Sequence, residues 1–160
     1  MRGVLGIALV LIGCGSARAS VVTPTTPARV TVELGVQTNP RPAALPSHSL
    51  WRGRYVCGQG VTALTLTLDV GVGARATAVF DFGASPENPS VPSGRYLLVG
   101  TIESALDGSA SVRLVPDRWI ARPSGYEMVG LSAQIDPSAR VMRGIIDYAG
   151  CGGLELSRAQ

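Results

Sequence analysis

Lysine is absent from this 160-residue chain, and histidine occurs only once, as His48. A serine or cysteine nucleophile needs a neighbouring base, which is usually a histidine or a lysine. From Trp51 onward the sequence offers neither base, and it also lacks the G-x-S-x-G pattern of α/β-hydrolases. These absences exclude a catalytic triad from that part of the chain, and the sequence predicts no catalytic residues.

Charged residues are scarce, at 16% of the chain, and their signs balance where the chain is expected to fold. All 14 basic residues are arginine, a bias that we attribute to genome composition, and the net charge is +3. From Trp51 onward ten arginines are interspersed with ten acidic residues, so no basic face is indicated. We therefore expect no binding to nucleic acid.

The sequence contains no apolar run long enough to span a bilayer, which takes roughly 20 residues. The longest run, residues 4–12, follows Arg2 and is typical of a signal peptide, here residues 1–13. This run ends in Leu11-Ile12-Gly13-Cys14, which resembles the lipobox of bacterial lipoproteins. The resemblance implies that Cys14 is acylated and becomes the mature N-terminus, anchored to the cell envelope by lipid.

The residue after the lipobox cysteine bears on the final location. Gly15 stands there instead of the aspartate that marks retention in the inner membrane, so the resemblance implies the outer membrane in a diderm host. The alternative is ordinary cleavage after Ala17-Arg18-Ala19, which would release a soluble secreted protein.

Residues 14–50 are rich in proline, threonine, serine and alanine and are expected to form a disordered tether. Within this tether only residues 30–36 alternate like a strand, and we favour an isolated extended segment over an added edge strand. His48, near the end of the tether, is interpreted as a tether residue and not as a catalytic base.

From residue 51 to 160 short alternating runs recur between glycine and proline breaks, a pattern typical of an all-β domain. The clearest run is Leu64-Thr65-Leu66-Thr67-Leu68-Asp69-Val70, with its apolar residues on one face. The sequence predicts a single antiparallel β-barrel or β-sandwich of about eight strands with little or no helix. The predicted strands are residues 55–57, 64–70, 74–82, 95–103, 110–115, 126–135, 141–148 and 154–158.

Two connections, residues 83–94 and 116–125, are longer than hairpins require and are rich in proline. The second contains Arg118, Trp119 and Arg122, and tryptophan and arginine are enriched at binding hot spots. We take these three residues as candidate binding residues. The competing interpretation is that Trp119 caps the core while the arginines pair with Asp117 and Glu127.

Two cysteines remain after Cys14, namely Cys57 in the first predicted strand and Cys151 before the last. In an exported protein a disulfide between them is the default expectation. It would place the first and last strands side by side, which favours a barrel over a sandwich. Two thiols without a partner histidine make a poor zinc site, so we predict no metal and no cofactor.

Two further functions stay open. Paired carboxylates could serve a small glycan-directed hydrolase, and the candidates are Asp69, Asp81, Glu87, Glu103, Asp117 and Glu127. A lipocalin-like carrier of a small apolar ligand would need a hollow barrel. A barrel interior filled by Leu64, Leu66, Phe80, Phe82, Leu97 and Val129 would argue against the carrier.

The last 110 residues or so also resemble a domain of secreted proteins of proteobacteria and myxobacteria. The resemblance rests on Trp51-x-Gly53-x-Tyr55-x-Cys57-x-Gln59-Gly60, Asn88-Pro89, Trp119-Ile120, Gly125-Tyr126 and Gly150-Cys151. It implies the domain boundary and the cysteine pair but no activity. The sequence thus predicts a non-enzymatic binding domain that contacts a protein or glycan partner at the cell envelope.

Overall fold

The computed structural model describes residues 45–160, and the expectations for the signal peptide, for Cys14 and for residues 30–36 lie outside this range. Eight strands follow one another along the chain. They are β1 (His48–Cys57), β2 (Gly60–Val70), β3 (Arg75–Gly83), β4 (Gly94–Ser104), β5 (Ala110–Ala121), β6 (Gly130–Ile135), β7 (Val141–Asp147) and β8 (Gly153–Arg158).

Each strand pairs antiparallel with its neighbour in sequence, and β8 returns to pair with β1, so the sheet closes into an eight-stranded barrel. The only helical element among the described residues is a short 3-10 turn, Val72–Ala74. The prediction of an all-β antiparallel fold is confirmed, and the barrel is the correct choice over the sandwich. Within residues 45–160 no helix has the length and apolarity needed to cross a membrane.

Strict alternation along the strands fills the inside of the barrel. In β2, Leu64, Leu66 and Leu68 are buried while the threonines between them face outward. Because every strand contributes its inward residues to one shared interior, the centre is packed with large apolar side chains. The largest of them are Trp51, Phe80, Tyr96, Leu98, Leu114, Leu131, Ile135, Met142 and Leu156.

The interior agrees with most of the predicted set. Leu64, Leu66, Phe80 and Phe82 lie inside as expected. Leu97 does not, because its neighbours Tyr96 and Leu98 take the two inward positions, and Val129 is only partly buried. A filled centre argues against a hollow, lipocalin-like carrier.

Glycines in three strands allow neighbouring backbones to approach closely. Gly53 in β1, Gly100 in β4 and Gly144 in β7 each lie against the backbone of the adjacent strand. A Cβ on Gly100 would overlap the carbonyl oxygen of Arg113, and one on Gly144 would overlap that of Ser132. Bends at glycine are a recognised way to close a small barrel.

Four strand boundaries differ from the predictions by four or more residues, and one of them is the start of β2, which lies at Gly60 and not at Leu64. β1 begins at His48, three residues before the expected start of the domain, because Ser49 is buried and accepts a hydrogen bond from the Trp51 indole. β5 continues through Ala121, so Pro116 and Trp119 lie in a strand and not in a loop. β6 begins at Gly130 and not at Tyr126.

The extension of β5 has a clear physical basis. β5 pairs with β6 only from Ala110 to Leu114, and beyond that point it is paired on the β4 side alone. Pro116, which has no N–H to donate, is tolerated on such an edge. The register with β4 shifts twice in this half of the strand, and the shifts let Trp119 lie opposite Tyr96.

Alternate connections of an up-and-down barrel necessarily emerge at the same end. One end, here called the loop end, carries residues 58–59, 84–93, 122–129 and 148–152. Both long proline-containing connections and the Cys57–Cys151 disulfide therefore meet there. The opposite end carries residues 71–74, 105–109 and 136–140.

Candidate binding cleft at the loop end

A cleft of about 540 Å³ opens at the loop end of the barrel. It lies between three connections, residues 58–59, 122–129 and 148–152, above the inward side chains of the upper strands. The side chains that define its chemistry are Tyr55, Gln59, Phe82, Tyr96, Tyr126, Glu127 and Tyr148, with the Cys57–Cys151 disulfide on one side.

Aromatic rings form the floor of the cleft. Phe80 stacks on Tyr96 with 4.7 Å between ring centroids, and Tyr55 meets Phe80 edge-on at 5.5 Å. Above them, Tyr126 stacks on Phe82 at 5.5 Å. This stack forms the upper layer of the packed interior, so a ligand would be held at the mouth and not inside.

The polar groups of the floor are already engaged within the protein. Gln59 donates from Nε2 to the Tyr55 hydroxyl at 3.3 Å and to Thr62 Oγ1 at 3.1 Å. The Tyr96 hydroxyl bonds to the Val129 backbone. Burial raises the pKa of Tyr55 to about 12 and raises that of Tyr96 further, so both phenols stay protonated at neutral pH.

Glu127 is the only charged side chain among the described residues that line the cleft. Its Oε2 accepts a hydrogen bond of 2.6 Å from the Tyr148 hydroxyl, across the two connections that border the opening. This hydrogen bond, together with the negative charge of Glu127, raises the pKa of Tyr148. The rim of the cleft thus carries one carboxylate held by a tyrosine hydroxyl.

Several contacts fix the connections around the cleft. The disulfide joins Cys57 at the end of β1 to residues 148–152, and Gly152 N donates to the Val56 carbonyl at 2.8 Å. Asn88, from residues 84–93, donates to the carbonyl of Gln59. The predicted disulfide is present, and it ties β1 to the connection that precedes β8 at the rim of this site.

The three candidate binding residues lie beside the cleft and do not line it. Trp119 is partly buried and packs edge-on against Tyr96 at 5.1 Å between ring centroids. Arg118 pairs with Asp117 at 2.9 Å, and the Arg122 guanidinium lies 5.9 Å from the centre of the Trp119 ring. Trp119 therefore extends the aromatic core, and a binding role for the three residues stays a prediction.

The acidic candidates for paired-carboxylate chemistry are mostly engaged with bases. Asp81 pairs with Arg95, and Glu87 pairs with Arg54 at 2.9 Å. A shallow depression on the outer wall holds both Glu87 and Glu155, but Glu155 accepts from Arg143 at 3.0 Å. Each glutamate of this depression is therefore paired with an arginine, and neither carboxylate faces the other as a free partner.

His48 does not belong to a tether, which corrects the sequence interpretation. It is the first residue of β1, and its Nδ1 lies 2.6 Å from Asp69 Oδ1 at the end opposite the cleft. Both side chains are more than half exposed. The prolines just before His48 give this segment the composition of a linker, so the start of the strand could not be predicted from composition.

Sequence reasoning did not single out the pairing of Glu127 with Tyr148. The two residues are 21 positions apart, and neither belongs to a recognisable motif. The strand order could have predicted their proximity, since an up-and-down barrel brings the fifth and seventh connections between its strands to one end. Tyr126, Glu127 and Tyr148 belong to those connections or border them.

The chain matches no protein-family model, and no curated protein sequence matches it. Within residues 45–160 no group of three or more histidine, cysteine, aspartate or glutamate residues is placed to hold a metal ion. The fold and the site define a small closed β-barrel with an aromatic cleft at one disulfide-linked end.

Proposed function

We propose that this protein is a non-enzymatic binding domain, held at the cell envelope by lipid on Cys14, that captures a partner in the loop-end cleft. The observation that carries the proposal is the concave site at the loop end. It gathers four tyrosines, Phe82 and one carboxylate on a barrel closed all round. Concave sites with aromatic walls and a few polar groups are the usual form of a ligand site.

The rigidity of the surroundings supports binding over a purely structural role. Three of the connections at this end are tied to one another or to β1 by the disulfide and by the hydrogen bond from Asn88. A site that is ordered before the ligand arrives loses little conformational entropy on binding. The opposite end of the barrel lacks a comparable aromatic cluster among its described residues.

The location is tested separately from the binding. In a diderm bacterial host, the Cys14→Ser variant is expected to lose incorporation of labelled fatty acid and to leave the membrane fraction. Retention of label would overturn acylation at Cys14. If the wild-type protein and the Cys14→Ser variant are both soluble in the periplasm and both begin at Ser20, the soluble alternative is supported instead.

The binding site is tested on the anchored protein in cells. A photoreactive phenylalanine analogue replaces Tyr148 at the rim of the cleft, and in a matched control it replaces Ile145 on the outer wall. We expect a discrete cross-linked envelope component from position 148 and not from position 145. The same adducts from both positions, or adducts from position 145 alone, would contradict a binding role for the cleft.

A further inference from the structure

We infer that the cleft binds an organic cation, with alkylated ammonium as the chemical class, between its tyrosine rings and the Glu127 carboxylate. The inference rests on the proposed function and goes beyond it by assigning the chemistry of the ligand. No arginine lies among the described residues that line the cleft, although ten arginines are present from Trp51 onward. The local charge is therefore negative on a domain that is balanced overall.

Ring faces and one carboxylate suit a cation better than they suit a sugar. A cation close to the face of a tyrosine is attracted by the ring quadrupole and needs no directional hydrogen bond. Tyr126 and Tyr148 supply the accessible rings beside Glu127, and the nearly buried Phe82 and Tyr96 lie beneath them with one face each already stacked on Tyr126 and Phe80. Methylated ammonium groups are only weakly hydrated, so that they enter such a site at a low desolvation cost.

A sugar would need free donors and acceptors arranged around the opening. The Gln59 amide nitrogen and the Tyr96 hydroxyl are instead bonded within the protein, to Tyr55, Thr62 and Val129. The Tyr148 hydroxyl already donates to Glu127 Oε2. Apart from the Tyr126 hydroxyl, which takes part in none of the described hydrogen bonds, what the cleft offers a ligand is mainly negative charge and aromatic surface.

The geometry also assigns Glu127 and Tyr148 distinct roles. The Tyr148 hydroxyl donates a hydrogen bond to one carboxylate oxygen and so holds Glu127 at the rim. The negative charge of Glu127 is then available to the ligand, while the Tyr148 ring adds to the wall. Removing the charge is expected to weaken binding more than removing the Tyr148 hydroxyl alone.

The test is a calorimetric titration of the full chain with choline and with its uncharged counterpart of the same shape, 3,3-dimethylbutan-1-ol. We expect choline to bind at least about tenfold more tightly than the alcohol, a difference of about 1.4 kcal/mol. Glu127→Gln is expected to abolish this preference, and Tyr148→Phe to keep it. Glu155→Gln, which removes an exposed, ion-paired carboxylate from the outer wall, is the matched control and should change nothing.

Two further measurements distinguish a lipid headgroup from a free small molecule as the source of the cation. Binding of phosphatidylcholine vesicles but not of free choline would assign the site to a lipid headgroup, and binding of both would assign it to the ammonium group itself. Equal binding of choline and the alcohol would overturn the cation assignment and leave a binding cleft in place. If choline, the alcohol and the vesicles all fail to bind, the cation assignment is also overturned, whereas only the cross-linking experiment decides the binding function.

Discussion

The phenolic oxygen of Tyr96 satisfies both backbone groups of Val129, donating to its carbonyl at 3.0 Å and accepting from its N–H at 3.3 Å. This contact occurs where β5 and β6 separate and the ladder between them ends at Leu114. One buried side chain thus replaces the missing strand pairing, and it holds residues 122–129 over the barrel mouth.

Replacing Tyr96 by phenylalanine is expected to lower the free energy of unfolding by about 1–3 kcal/mol, because two partly buried backbone groups lose their partner. Urea denaturation monitored by circular dichroism measures the loss. Tyr126→Phe is the matched control, since the Tyr126 hydroxyl takes part in none of the described hydrogen bonds, and it should change stability by less than about 0.5 kcal/mol. Equal effects of the two variants would contradict the bridging role of Tyr96.

Trp119 and Arg118 are expected to respond differently to truncation. Trp119→Ala removes an edge-on contact with Tyr96 and another with Phe82, and should cost about 2 kcal/mol of stability, below the range for a fully buried aromatic. Arg118→Ala breaks only an exposed ion pair with Asp117 and should cost less than about 1 kcal/mol. Thermal denaturation of both variants checks this difference. A stable Trp119→Ala protein that no longer binds its partner would restore Trp119 to the binding site.

Opening the disulfide is expected to destabilise the barrel strongly. Cys57 and Cys151 are 94 residues apart, and the chain-entropy estimate for such a loop is roughly 4 to 5 kcal/mol, as an upper value. Urea denaturation of the protein before and after reduction measures the difference. If the reduced protein unfolds at the same urea concentration, the disulfide contributes only local order at the cleft.

Stability is expected to fall at alkaline pH because of the buried phenols. The unfolded chain releases each tyrosine proton near pH 10, whereas Tyr55 holds its proton to about 12 in the fold. The stabilisation is complete below pH 10 and is lost as the pH rises through the folded pKa, by about 1.4 kcal/mol per pH unit for each such group. Urea denaturation between pH 9 and 12 measures the slope, and Tyr55→Phe should make it shallower. An identical slope in this variant would contradict the assignment.

Much of the fold can be predicted from the sequence, because alternating apolar and polar residues between glycine breaks indicate strands directly. The Leu64–Leu66–Leu68 pattern identifies β2, and the positions of Cys57 and Cys151 correctly place the first strand beside the last. Strand ends are harder to predict. The sequence assigns His48 to a tether and Trp119 to a loop, because nearby prolines give both segments the composition of a linker. Each segment is in fact a strand, since it pairs with residues that are distant in sequence.

The cleft is harder to predict than the fold, because it also depends on contacts between residues that are distant in sequence. Glu127 and Tyr148 become neighbours only when the connection after β5 meets the connection after β7. Because tryptophan and arginine are enriched at binding hot spots, the sequence favours Arg118, Trp119 and Arg122, which lie outside the cleft. Composition identifies residue types that bind, whereas the closure of the barrel decides which of them share a surface.

The central claim is that the loop-end cleft holds an alkylated ammonium cation. Backbone amide chemical shifts recorded during a choline titration of the isotope-labelled chain test this claim most directly. The account predicts that the largest changes occur at Gln59, Tyr126, Glu127 and Tyr148. Changes centred on His48, Asp69 and Arg75 at the opposite end of the barrel would contradict it, as would an unchanged spectrum at the choline concentration that saturates the calorimetric titration.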